Sequence, residues 1–434
     1  MATTDRGIAE GLLPVQPRAT NRRIFRAAVS VAIAGAAVKL AATGKEIVVA
    51  GFYGRSDAMD AFLVAFLIPN LLINLIAESM NQALIPTLIR VRLQEGQERA
   101  RQLLSNATLT MCAMLTAAAL VMAASARLFF PLLAANFSSG KLDLAIRLFY
   151  AMLPCVVLGG VASNCTAVLN TVDRFAWPAL TPLVISVLMV GGTLAWHRSL
   201  GIWALALATV AGMALQAAML AAGVRSHGYR LTLQWSRHDT AASEVTRQLG
   251  PMILSSLVAS GGLLVDQAMA AMLPAGSVSA LVFAGRFVSV AATLLAGSIS
   301  SAVAPHFSEL VAGRDWTACR AALRTWALRT ALVSTPIAAV LIVGAHPLVR
   351  VTLQHGAFAA HDTSVVAEVL AMYAIQIPFF AVSRVFIDSL WRCAAPTWSF
   401  TAGPSTWSST WCSICCSCAA WEWRASRCRL RSGA

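Results

Sequence analysis

The chain has 434 residues, of which 58% are hydrophobic and only 12% charged, and its mean hydropathy is +0.70; a water-soluble globule carries about a quarter charged residues. That balance excludes most soluble enzyme classes. The excess of 33 Lys and Arg over 19 Asp and Glu, a formal charge of +14, is compatible with nucleic acid, anionic lipid or an anionic cargo, and the placement of the bases has to decide among them.

Residues 1–26 are polar, with Arg18, Arg22, Arg23 and Arg26 ahead of the first apolar run and no small-residue cleavage pattern close behind it. This reads as a cytoplasmic start, not a removable signal peptide. Apolar segments of about 20 residues, the length that crosses a bilayer, follow at 27–48, 60–82, 103–126, 146–169, 178–196 and 201–223. After a polar linker at 224–247 they resume at 248–272, 279–303, 325–345 and 364–388. The expected fold class is therefore an all-α polytopic membrane protein with ten spans. With the N-terminus inside, the cytoplasmic loops receive Arg90, Arg92, Arg99 and Arg101, then Arg174, then Arg225, Arg230, Arg237 and Arg247, then Arg314 and Arg320. The opposite loops hold only Arg55, Arg127, Lys141, Arg198 and Arg350. This is the asymmetry of the positive-inside rule. Because the bases are spread over short loops and not gathered on one stripe, no nucleic-acid partner is expected.

Internal echoes point to a duplication. Asn170, Arg174 and Pro178 recur as Asp388, Arg392 and Pro396 at an offset of 218; Asp60-Ala-Phe-Leu-Val-Ala65 pairs with Ser279-Ala-Leu-Val-Phe-Ala284, and Ala83 and Pro86 with Ala302 and Pro305, at 219; Tyr150 pairs with Tyr373 at 223. The offset spans six helices, an even number, so both halves enter the membrane in the same direction and are related by an axis along its normal. The expectation is two pseudo-symmetric six-helix lobes around a central cavity, the first at 27–223 and the second at 248–395, with only four helices of the second retained. Residues 397–434 hold five of the 12 Trp and five of the 10 Cys, with almost no Leu, Val or Ile. Cys412, Cys415, Cys416 and Cys418 lack the second, distant ligand pair of a zinc module, and no metal is expected. Back-translated and read two bases later, Gly403 to Trp423 encode an apolar helix ending in a basic residue and a glycine, where the duplication calls for one. The segment from 396 to 434 is accordingly expected to be an out-of-frame product.

Ionisable groups inside spans cost about 2.5 to 3.5 kcal/mol each on insertion scales and need a partner, a wet cavity or an interface. The candidates are Lys39, Lys45, Glu46, Asp60, Glu78, Asp266, Arg286, Arg384 and Asp388. Lys39 and Glu46 are seven residues apart on one helix face, and Lys45 follows Gly44, where the helix has a place to bend. Arg286 approaches from the second lobe. Three cations around one cleft suit a pyrophosphate, which Lys and Arg bind by charge-assisted hydrogen bonds. Equally, Lys39 and Lys45 could snorkel or neutralise Glu46 and Asp60 while Arg286 caps a helix end. Asp266 is either a proton or cation coupling site or a hydrogen-bonding group between helices. Pro69, Asn70, Pro154, Pro251 and Pro378 read as kinks or breaks, and Asn70, Asn74 and Asn81 either line a wet path or bridge helices. The sequence has no H-E-x-x-H, G-x-S-x-G or P-loop pattern, and the short loops leave no room for a soluble catalytic domain; a transporter is expected, not an enzyme.

Several of these residues stand in an order that resembles the MurJ/MviN family of lipid II flippases, within the multidrug/oligosaccharidyl-lipid/polysaccharide exporter superfamily. The matching segments are Lys45-Glu46-x-x-x-Ala50-x-x-Tyr53-Gly54, Asp60-Ala61-Phe62, Ile68-Pro69-Asn70 with Glu78 and Pro86, Leu169-Asn170-x-x-x-Arg174-Phe175 with Pro178 and Pro182, Gly276-Ser277-Val278-Ser279-Ala280-Leu281 with Arg286, and His355-Gly356-Ala357-Phe358. The resemblance implies movement of a polyprenyl pyrophosphate-linked saccharide across the bacterial inner membrane by alternating access, in a monomer that uses no cofactor and is driven by the membrane potential or an ion gradient. It implies a substrate site at Lys39, Lys45 and Arg286, with Glu46, Asp60, Asn70 and Glu78 nearby, and Asp266 as the ion-coupling candidate. Lys39 and Lys45 stand where the family usually has Arg, Ile73 and Asn74 replace its basic residue after Pro-Asn, and Ser289 replaces an acid. These differences fit a carrier of another lipid-linked glycan, such as an exopolysaccharide unit. The sequence is also compatible with a drug or cation antiporter of the same superfamily, whose cavity would be dominated by acids, and with an inactive truncated relative.

Overall fold

The computed structural model describes residues 17–171, 176–226, 240–312 and 316–401, and these are helical apart from short turns. Arg174 of the duplicated motif, the bases of the 227–239 linker and the whole segment 402–434 lie outside the described residues, as do the side chains of the N-terminal arginines and of Asp388. The helices are α1 (Pro17–Tyr53), α2 (Asp57–Leu72), a π-helical turn (Ile73–Glu78), α3 (Ser79–Gln94), α4 (Gln97–Leu133), α5 (Ser139–Met152), α6 (Pro154–Thr171), α7 (Ala176–Leu180), α8 (Pro182–Leu200) and α9 (Ile202–Ser226). They continue with α10 (Thr240–Ala271), α11 (Ser277–Ala312), α12 (Trp316–Val343), α13 (Ala345–Leu353), α14 (Ala360–Ala374) and α15 (Gln376–Thr401). Seven helical runs among the described residues are long and apolar enough to cross a membrane, and two further bent pairs, α5–α6 at 42° and the halves of α10 at 40°, bring the number to nine. These nine coincide with nine of the ten expected spans. The tenth is α1, whose described part carries Lys39, Lys45 and Glu46.

Proline sets the breaks unevenly. Pro154 opens α6 at the 42° bend, where its missing N–H falls in a first turn that needs none. Pro69 lies inside α2 and is followed by the π-helical turn, a local rearrangement that recurs at functional sites. Pro251 is accommodated inside α10, and α1 runs on through Gly44 without a break. Outward faces are apolar at helical spacing: Leu328, Leu332, Val340 and Val343 of α12 are all exposed, as a lipid-facing stripe requires.

Two hydrophobic clusters hold the helices together. One, under α3, α4, α6 and α9, contains Met80, Leu84, Leu104, Met111 and Leu220. The other joins the two halves of the chain at the end where α1 turns into α2, and includes Val49, Phe62, Phe130 and Phe149 from the first half with Phe283, Val349, Phe358 and Leu370 from the second. Gly51 and Gly54 let the α1 terminus meet the 355–358 turn at backbone distance: the N–H of Ala357 donates to the Gly51 carbonyl over 2.7 Å. Gly54 has φ +55°, and a Cβ there would stand 2.7 Å from the Ala357 oxygen. Gly54→Ala is therefore expected to lower stability by about 2 kcal/mol through combined backbone strain and collision. Thermal unfolding in detergent checks this, and an unchanged midpoint would contradict it.

Candidate functional site

Two polar assemblies stand out in an apolar bundle. The first joins α1 to α11. Glu46 is buried, and its Oε1 accepts from Lys45 Nζ at 3.0 Å and from Arg286 Nε at 3.2 Å. Lys45 and Glu46 have side chains 14% and 10% exposed, whereas Arg286 is 55% exposed. The carboxylate is thus withdrawn and the guanidinium is left open. Among the described residues neither Nη of Arg286 has a hydrogen-bond partner, so its planar fork is available to an incoming anion. Lys39 is exposed two helical turns from Glu46 and about 10 Å along the same face; its carbonyl accepts from Thr43 Oγ1, and its ammonium makes no ion pair among the described residues. Lys45 and Arg286 therefore come together, with Glu46 between them, and Lys39 lies apart from the pair.

The second assembly is a seam at the α1–α2 end of the bundle. Asp60 is 1% exposed. Its Oδ1 accepts from the Ser279 backbone N–H at 2.9 Å and its Oδ2 from the Gly276 N–H at 2.7 Å, so a carboxylate from α2 caps the N-terminus of α11 in the other half. A negative group is favoured there by the unpaired amides and the helix dipole. Ser279 is also the residue that the 219-residue offset pairs with Asp60. Lys141 of α5 reaches Asp60 at 2.9 Å and Asp57 at 2.7 Å and lies 4.1 Å from the Phe137 ring centre. Arg55 donates to the Gly276 carbonyl at 3.0 Å and pairs with Asp362 at 3.1 Å; Asn136 Nδ2 donates to the Met272 carbonyl. Every one of these contacts, save those of Lys141, runs from the first half to the second.

The remaining sequence candidates are dispersed. Glu78, at the end of the π-helical turn, is exposed; its Oε1 accepts from Ser163 Oγ at 3.4 Å, and Ser163 in turn accepts from Asn81. Asn70 is half-buried on α2. Asp266 is exposed on α10 and accepts from the Tyr373 hydroxyl at 3.0 Å, an interhelical hydrogen bond of the kind weighed against ion coupling. Asp60 lies in the seam and makes no ion pair with Lys45 or Arg286. The seam residues Arg55, Lys141 and Asp362 do not stand out in the sequence, where Arg55 and Lys141 count only as loop bases. The available signal is Asp60 opposite Gly276-Ser277-Val278-Ser279, a helix start whose amides need an acceptor.

Comparison with known proteins gives a family from sequence and a matching fold from solved structures. A family model described as "Lipid II flippase MurJ" matches residues 49–391. The lipid II flippase MurJ of Burkholderia cenocepacia is 28% identical over 365 residues, 82% of this chain and 70% of that protein. The probable lipid II flippase MurJ of Synechocystis sp. is 26% identical over 382 residues, 85% and 71% of the two chains. Among solved structures, a lipid II flippase MurJ in an inward closed conformation aligns with a TM-score of 0.72 at 22% identity, covering 84% of this chain and 76% of that one. An inward-facing multidrug resistance MATE family transporter of the MOP superfamily aligns at 0.64 with 12% identity over 82% of each chain. These structural likenesses establish the fold.

Proposed function

Because the chain belongs to the lipid II flippase MurJ family, we propose that it carries lipid II, a polyprenyl diphosphate bearing a saccharide, across the bacterial inner membrane by alternating access. The observation that supports this most directly is the α1–α11 charge cluster, where a half-open guanidinium and an ammonium share one buried carboxylate. In this reading Glu46 holds Lys45 and Arg286 in place while the site is empty. A diphosphate then takes over the outer face of Arg286 and competes with Glu46 for Lys45. Lys39, farther along the same face, meets the second phosphate or the first sugar, and the polyprenyl tail stays in lipid.

The seam supplies the other element of the cycle, since a bundle sealed at its α1–α2 end admits substrate from the opposite end only. In this reading the arginines concentrated on the loops opposite that seam put the N-terminus on the cytoplasmic side, and substrate enters from that side. The membrane potential is the driving force proposed, a unit charge moved through 100 mV being worth about 2.3 kcal/mol. Expression in a strain depleted of its own lipid II flippase is the test. Growth is expected to be restored. Failure of the membrane-inserted protein to restore growth, together with failure of the purified protein to bind lipid II, would overturn the reading. Growth of a strain depleted instead of an exopolysaccharide-precursor flippase, without rescue of the first, would reassign the glycan.

A further inference from the structure

The seam buries a charge that capping alone does not neutralise. Asp60 is withdrawn almost completely from solvent, and two backbone amides supply hydrogen bonds without supplying a countercharge. Lys141 does supply one. Its own side chain is only 7% exposed, and its ammonium lies 2.9 Å from Asp60. Lys141, Asp57 and Asp60 all sit on α2 and α5, which pack together in the first half of the chain. The amides of Gly276 and Ser279 belong to the second half. When the halves part, Lys141 travels with Asp60 and the amides do not.

Water replaces the amides in the parted form, so a countercharge matters there far less than in the closed form, where the carboxylate has no solvent. We propose that Lys141 is a positioning residue of the transport cycle: by neutralising Asp60 inside the seam, it makes the closed form of the α1–α2 end the favoured one. The inference rests on the alternating-access reading. It assigns to a lysine that touches no substrate the setting of the balance between the two forms.

Spin labels at Leu132 and Leu273, which are 74% and 60% exposed on the two sides of the seam, report that balance by their distance distribution. The protein is measured in lipid nanodiscs without substrate, with its ten native cysteines replaced. Lys141→Met is expected to raise the ratio of parted to closed molecules by about tenfold or more, because it leaves a buried charge unpaired. In an Asp60→Asn background the same change is expected to move the ratio by less than about threefold, since contacting residues show their coupling as non-additivity. That second comparison separates neutralisation of Asp60 from general loosening of α5, and it stands even if the single Lys141 variant folds poorly. An unchanged distribution in Lys141→Met, or an equal shift in both backgrounds, would overturn the proposal. The measurement requires no ligand, so failure of the diphosphate site to bind leaves its outcome legible and counts against the substrate reading alone.

Discussion

Alanine at both Lys45 and Arg286 is expected to weaken binding of a polyprenyl diphosphate by about a thousandfold, and Lys45→Ala or Arg286→Ala alone by about thirtyfold. The size follows from what each cation offers a phosphate oxygen. A hydrogen bond to a charged group is worth about 1.5 to 3 kcal/mol net, two such groups give about 4 kcal/mol, and each 1.4 kcal/mol is a factor of ten. Glu46→Gln is expected to act in the opposite direction. Both cations now share Glu46 Oε1, and removing its charge ends the competition, so binding tightens while release slows. Titration of the purified protein with a short-chain polyprenyl diphosphate measures all four variants. Affinity of the double variant within about threefold of the parent would remove the α1–α11 cluster from the substrate site, because losses of charge-assisted bonds are larger than that.

Much of the fold was legible because the bilayer imposes it. A span has to be apolar for about 20 residues, so all ten spans could be placed from hydropathy alone, and nine of them coincide with apolar helical runs among the described residues. The pairing of Lys45 and Arg286 through Glu46 was legible in part: the sequence showed that intramembrane charges need partners and that α1 and α11 carried them, but not that Lys39 would lie apart. Asp60 shows where such reading stops. Its charge marked it for a functional role, yet its partners are the backbone N–H groups of Gly276 and Ser279, and amides carry no mark in a sequence. Lys141 was equally hidden, because a loop lysine counted toward orientation looks the same as one folded under Phe137 into a buried pair. Hydropathy records how readily a residue partitions into lipid; it does not record which part of the chain a side chain will reach.

Asp60→Ala is expected to open the seam, and Asp57→Ala to leave it closed, although both acids contact Lys141 at similar distances. Burial makes the difference. Asp57 has a side chain 63% exposed, and an exposed ion pair contributes about 0 to 1 kcal/mol. Asp60 at 1% exposure also caps α11, so its loss strands the Gly276 and Ser279 amides and removes the buried partner of Lys141, a change of about 3 to 5 kcal/mol. A cysteine introduced by Ala280→Cys, at a position 1% exposed one residue past the capped amide of Ser279, reads the outcome in a background free of other cysteines. With Asp60→Ala its labelling by a membrane-impermeant maleimide is expected to accelerate by about a hundredfold or more, the factor that about 3 kcal/mol provides. With Asp57→Ala the rate is expected to rise by less than about fivefold. Equal rates in the two variants would mean that the seam is held by the apolar contacts around Phe283 and Phe358 and not by the capped helix. Alternating access would then have to be controlled by packing, with the Asp60 carboxylate following the movement of the lobes and not restraining it.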